Sequence, residues 1–197
     1  EQIDVILKKS REEENHPQFL KGYIHKIKYN SYIKEDDYVL AVQELDSLSQ
    51  VVEPPLKQFT HSIIEQLYWG YFQSHRYQFY QRTEISGEAP EDMRKWDLRT
   101  MAEAVRDHYL KSVENPEKLM SISIKEYDLI IKDLYDHSLK RWPTLYDFLG
   151  HRAVDFFWNA EFDVTRPAET FEVNDIRLYA DNETFSKIKL ETNDSLS

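Results

Sequence analysis

Residues 56–80 read "LKQFTHSIIEQLYWGYFQSHRYQFY", and the reading of this stretch decides the fold. Leu56, Phe59, Ile63, Leu67, Gly70, Tyr71 and Ser74 recur with the 3.6-residue period of an amphipathic helix. A helix from Leu56 to about Tyr80 is a rod of about 36 Å. Pro54 and Pro55 stand just before it, where a missing N–H costs nothing. Gly70 and Ser74 are small at the places where a crossing helix would press closest. Rings occur all round the axis rather than on one stripe, so the helix is expected to lie between two packed layers. The alternative is an aromatic groove for a peptide or glycan, lined by Tyr68, Trp69, Phe72, Tyr77, Phe79 and Tyr80. Packing is the favoured reading.

Helical periodicity continues on both sides. Upstream, Ile3, Ile6 and Leu7 share one side of a helix over 3–13. Pro17 suits the first turn of the next helix, whose stripe is Phe19, Leu20, Tyr23, Ile24 and Ile27. After the polar break "NSYIKEDD", Tyr38, Ala41, Val42, Leu45 and Leu48 mark a third helix. Short connections make such neighbours antiparallel hairpins. Downstream, "TEISGEAPEDMRK" (83–95) reads as a long loop, and Asp97 as the N-cap of a helix carrying Leu98, Met101, Ala102, Val105 and Tyr109. Asn115 and Pro116 start a short turn. Ser123 to Glu126 matches a capping box, with Tyr127, Ile130, Ile131 and Leu134 as the expected stripe after it. Thr144 and Asp147 offer the same cap for a last helix over 145–160.

That last helix carries two polar features. Asp147, His151 and Asp155 are spaced i, i+4 and i+8 and share a strip beside the apolar face. A zinc site needs three or four convergent ligands with supporting partners, and one His between two Asp on a single helix supplies less than that. A surface ladder of i,i+4 pairs is the simpler reading. Arg152 instead falls in the middle of the face made by Leu145, Leu149 and Phe156. A guanidinium there requires a carboxylate or several carbonyls from another helix. The candidates are Asp97 first and Glu65 second, in a pair that orients helices rather than catalyses. His61 and Glu65, one turn apart, form a further weak pair.

The chain has 197 residues and a net charge of −11, with no cysteine and four glycines. At this length folding buries about 70% of the unfolded surface, enough for a core without staples. The acidic balance repels nucleic acid and anionic lipid, so neither is an expected partner. The absence of cysteine removes thiol catalysis and thiolate metal sites, and says little about compartment. No Gly-rich phosphate loop, G-x-S-x-G or H-E-x-x-H occurs. No apolar run is long enough to span a membrane. The first residues are not a signal peptide. No cofactor or metal is expected. Beyond 160 the helical period fades, and residues 161–197 hold nine acids and four bases. They read as an extended tail or a linker to a following domain.

Four strings add a resemblance: "YWGYFQSHRYQFYQRTEI" (68–85), "WDLRT" (96–100), "RWPTLYDFLGHRAVDFFWN" (141–159) and "TRPAETFEV" (165–173). Together they resemble the N-terminal helical region of bacterial alpha-2-macroglobulin-like proteins, the large extracellular alpha-helical proteins. The resemblance runs from about residue 15 to the end of the chain. It implies an exported chain, periplasmic or at the cell surface, that continues into macroglobulin β-sandwich domains. The partners it implies are those downstream domains, with another envelope protein as an alternative. Such proteins trap proteases with a bait region and in some cases a Cys-Gln thioester; this segment has neither, so no trapping residue is carried over.

The expectation is therefore an all-α domain over 1–160, built as stacked antiparallel helical hairpins like a tetratricopeptide solenoid, with an irregular tail over 161–197. Its expected role is non-catalytic, as a structural or protein-interaction domain of an exported alpha-2-macroglobulin-like protein in a protease-inhibitor or envelope-defence setting. The alternative is a helical-repeat module that binds peptide or glycan through the aromatics of 68–80. A small all-α hydrolase is the least favoured reading.

Overall fold

The structure is a computed structural model, and it describes residues 2–31, 37–131 and 136–158. The expected tail over 161–197, and Leu134 of the expected stripe after Ser123, lie outside the described residues. Within them the chain is all-α: α1 Gln2–Glu12, α2 His16–Ser31, α3 Asp37–Ser49, α4 Leu56–Gln81, α5 Leu98–Ser112, α6 Pro116–Met120, α7 Asp136–Arg141 and α8 Leu145–Trp158. Two short 3-10 turns, Met93–Lys95 and Ile124–Tyr127, lie between them.

The first five helices pack each on the next in chain order. The α1–α2 and α4–α5 hairpins are antiparallel. Between α1 and α2, Asp4 meets Lys26 while Arg11 lies over the ring of Phe19. Between α4 and α5, His61 meets His108 while Tyr68 meets Trp96, two residues before α5 begins. The turn after α1 is made by Glu14 in a left-handed conformation (φ 52°), which lets the Asn15 N–H reach back to the Ser10 carbonyl at 2.8 Å.

α4 is the central helix. It packs on α3 along one side and on α5 along another, and it buries residues on both. Gly70 is half-buried, but Ser74 is exposed and donates to the Gly70 carbonyl (2.8 Å), so it is not at a helix crossing. The rod is also not straight. His75 leaves helical geometry (φ −120°, ψ 17°), and its Nδ1 lies 2.9 Å from the Tyr71 carbonyl. A ring that takes the i−4 carbonyl competes with the backbone ladder, which accounts for the kink. Beyond it the last turn buries Phe79 and leaves Tyr77 outside.

After α5 the elements shorten. The capping box at Ser123 forms, but it opens a 3-10 turn of four residues, not the helix expected there. Tyr127 is buried at once against Phe59, with ring centroids 5.2 Å apart, and two N–H groups, of Ile130 and Ile131, converge on its carbonyl. An isolated antiparallel bridge between Ser123 and Thr144 then fixes the start of α8, through Leu145 N–H to Ile122 O (2.9 Å) and Ile124 N–H to Pro143 O (3.2 Å). The core that results joins Leu20, Phe59, Leu119, Ile124, Tyr127, Leu145 and Leu149.

α8 is capped as its sequence suggests. The Thr144 N–H and hydroxyl both donate to the Asp147 carboxylate (3.0 and 2.7 Å), and the Asp147 N–H donates to the Thr144 hydroxyl (3.2 Å). Asp147 is thus a capping residue, not a rung of a surface ladder. Asp147→Ala should cost about 1 kcal/mol of stability in urea unfolding, whereas Asp147→Asn, which keeps an acceptor oxygen, should cost a few tenths at most. Equal losses for the two would remove the capping role.

Candidate functional site: a polar seam between α4, α5 and α8

The first turns of α4 bury Gln58, His61, Ser62 and Glu65, besides Thr60, whose hydroxyl donates to the Leu56 carbonyl of its own helix. Three of these find partners on other helices. From α8, Arg152 donates Nη2 to Glu65 Oε1 (2.5 Å) and to Gln66 Oε1 (3.5 Å). It also donates Nε to the Ser62 hydroxyl (3.0 Å) and Nη2 to the Ser62 carbonyl (3.3 Å). The Ser62 hydroxyl faces Glu65 Oε1 at 3.4 Å, and the Phe148 ring lies beside the guanidinium. Gln58 is the exception, because neither end of its buried amide makes a hydrogen bond among the described residues.

The pair is asymmetric. Glu65 exposes 1% of its side chain and Arg152 exposes 27%. The carboxylate is therefore the enclosed member, and the arginine reaches in from the edge with its stem along α8. Burial pushes the Glu65 carboxyl above the ordinary carboxylate range, against the pull of Arg152. Glu65 Oε2 makes no hydrogen bond of normal geometry, although Tyr109 of α5 interacts with the carboxylate. Burial, with the Glu65 charge beside it, pushes the Tyr109 phenol up.

One turn earlier, His61 Nδ1 and His108 Nδ1 lie 3.0 Å apart inside the α4–α5 interface. One ring must donate and the other accept, so at least the accepting ring is neutral. Burial is the main cause that pushes His61 down to about 4, helped by Lys111 and Lys57. Burial, then His61, then Lys111 push His108 down to about 3. The Tyr68 ring closes the pair edge-on.

Asp97, the first candidate for Arg152, is elsewhere. It caps α5 by accepting from the Thr100 N–H (2.7 Å), and it accepts from the Ile85 N–H (2.6 Å), which ties the 82–97 loop to the helix. Burial pushes its carboxyl up, but these hydrogen bonds outweigh that and hold it below the usual range. A carboxylate occupied twice by backbone has no need of a guanidinium. The same loop is fastened by Arg82 to the Trp96 carbonyl (2.6 Å) and by the Trp96 indole to the Pro90 carbonyl.

The six rings of the expected aromatic groove do not share a surface. Tyr68, Phe72 and Phe79 are buried in the core, and Trp69 is half-buried against Phe72 and Phe156. Only Tyr77 (75% exposed) and Tyr80 (45%) face water, and Arg76 lies over the Tyr80 ring. Asp147, His151 and Asp155 do not converge either: Asp147 caps α8, His151 packs on Trp142, and Asp155 is exposed. Among the described residues, no group of three or more His, Asp or Glu side chains is placed to hold a metal ion, and no helix is long and apolar enough to cross a membrane.

Sequence reasoning missed His108, and the signal was present. His108 falls on the α5 stripe of Met101, Val105 and Tyr109, as Arg152 falls on that of α8. Ser62 gave no signal, since a lone serine in a helix is common. No protein-family model, no curated protein and no solved structure matches the chain.

Two groups in the seam oppose each other as pH changes. The histidines have folded pKa values below the unfolded value, so their contribution is full above about pH 6.5 and is lost as pH falls toward 4 and 3. Glu65 has a raised folded pKa, so its contribution is full below its unfolded value and is lost as pH rises through the folded one. The double substitution His61→Phe, His108→Phe should therefore flatten the fall in melting temperature between pH 7 and 4. A slope as steep as that of the parent chain would show that the pair does not titrate with folding. Arg152→Ala should cost about 2–4 kcal/mol at pH 7, somewhat under the figure for a fully enclosed pair. Its cost should shrink toward pH 4.5, and Glu65→Gln should recover much of it. A loss within error at both pH values would remove the ion pair from the stability of the domain.

Proposed function

We propose that this chain is a non-catalytic helical domain that serves structure and protein interaction, in an exported alpha-2-macroglobulin-like protein. The observation that carries the reading is the inward use of its ionisable groups. Glu65 pairs with Arg152 and His61 with His108 between helices, and Asp97 and Asp147 cap helices. Catalytic acids and bases need to meet a substrate in a cleft. The buried carboxylate here meets a guanidinium, a serine and a tyrosine of its own chain. A seam of this kind fixes the register of α4, α5 and α8, which is a common use of buried polar pairs.

The exported setting rests on the resemblance of the 68–85, 96–100, 141–159 and 165–173 strings. In that setting the partners are the downstream macroglobulin domains of the same chain, and an envelope protein. A binding module working through the 68–80 aromatics has less support, because half of those rings are used in the core.

Fractionation of cells carrying the tagged natural protein, followed by cross-linking and mass spectrometry, tests the reading. The expected result is recovery in the envelope or the medium, with cross-links from this domain to later domains of its own chain or to an envelope protein. Recovery in the cytosol would overturn the exported setting. Turnover of an ester, glycoside or phosphate substrate by the purified chain, abolished by Glu65→Gln, would overturn the non-catalytic role.

A further inference from the structure

α1 and α2 leave a groove of about 510 Å³ on the outside of the stack. Its apolar lining is Ile3, Ile6 and Gly22, joined by Tyr29, which leaves 62% of its surface in water. A Cβ at Gly22 would sit 3.2 Å from Leu7 Cδ2 and 3.6 Å from Ile6 Cγ2, so the glycine lets α2 lie close against α1 here. The edge carries Lys21, His25 and Lys28, successive turns of α2. Among the described residues no acid lines the groove, and Asp4 of α1 is held by Lys26, which does not line it.

The charge of α2 is out of keeping with the rest of the protein. His16–Ser31 holds three lysines and no Asp or Glu, in a chain whose net charge is −11. An apolar lining with a basic edge complements an apolar stripe with an acidic flank. From residue 18 to residue 29 the groove runs about 16 Å along α2, which is three turns of helix.

We propose that the α1–α2 groove docks an acidic amphipathic helix of another polypeptide, about three turns long, with its apolar stripe on Ile3, Ile6 and Gly22 and its carboxylates toward Lys21 and His25. This is the helix-in-groove mode, in which anchors at i, i+3 or i+4 and i+7 enter the groove and flanking charge sets the choice of partner. It rests on the reading of the chain as an interaction domain and names the chemistry of one partner.

Fluorescence anisotropy with two labelled synthetic helices of about 14 residues tests it, both with leucines at i, i+3 and i+7, one flanked by glutamates and the other by lysines. The parent chain should bind the glutamate peptide at least tenfold more tightly than the lysine peptide. The Lys21→Glu, His25→Glu double variant should reverse that order, with an unchanged melting curve as its control for folding. Failure of the parent to bind the glutamate peptide, equal binding of both, or binding indifferent to the double variant would overturn the proposal. So would dimerisation in light scattering, or flotation with phosphatidylglycerol vesicles, if the double variant abolished it, since a second copy or a membrane would then own the groove. Failure of the peptide tests would overturn the groove assignment alone, since cross-links in cells that persist in the double variant would keep the interaction role standing.

Discussion

A carboxylate enclosed between helices is the constraint on which the rest of this structure depends. Glu65 is nearly sealed from water at the middle of α4, and it is tolerable there only because α8 delivers a guanidinium to it. That delivery fixes the rotation of α8, because Arg152 must reach inward while Leu145, Leu149 and Ala153 stay buried on the same side. It also fixes the depth of α8 through Ser62, which offers both its hydroxyl and its carbonyl to the same side chain. Apolar contacts alone would hold α8 against the stack without choosing one register so sharply.

The helices and their caps were legible because they depend on local chemistry. The stripes of α2 and α5, Pro17 in a first turn, the caps at Asp97 and Thr144 and the box at Ser123 are set by neighbours within four residues. The 3-10 turn after the Ser123 box was not legible, because Tyr127 is taken into the core by Phe59, from a distant part of the chain, before a second helical turn can form. The kink at His75 was hidden for a different reason. Nothing in the sequence tells a histidine that points outward from one whose ring claims the carbonyl one turn back.

Partner choice was legible in kind but not in identity. An arginine amid apolar residues demands an acid, and sequence can say no more than which acids exist. Asp97 was a reasonable candidate until its other duties were visible: a backbone N–H engages each of its two oxygens. The aromatic run shows the same limit. Its rings surround a helix packed on more than one side, so their number says little about a surface. Tyr68, Phe72 and Phe79 became core, and Tyr77 and Tyr80 did not, according to where α3 and α5 lie and where α4 bends.

The bond from Arg152 to Glu65 spans 87 residues, whereas the α1–α2 hairpin closes over a few. Hairpins between neighbours assemble early because little chain entropy is lost in closing them. Joining α8 to α4 closes a far longer loop and carries a larger entropy cost, which the contacts of α8 must offset. Without α8 the Glu65 carboxylate would keep its place in α4 but lose its guanidinium, so the seating of α8 and the burial of that charge depend on each other.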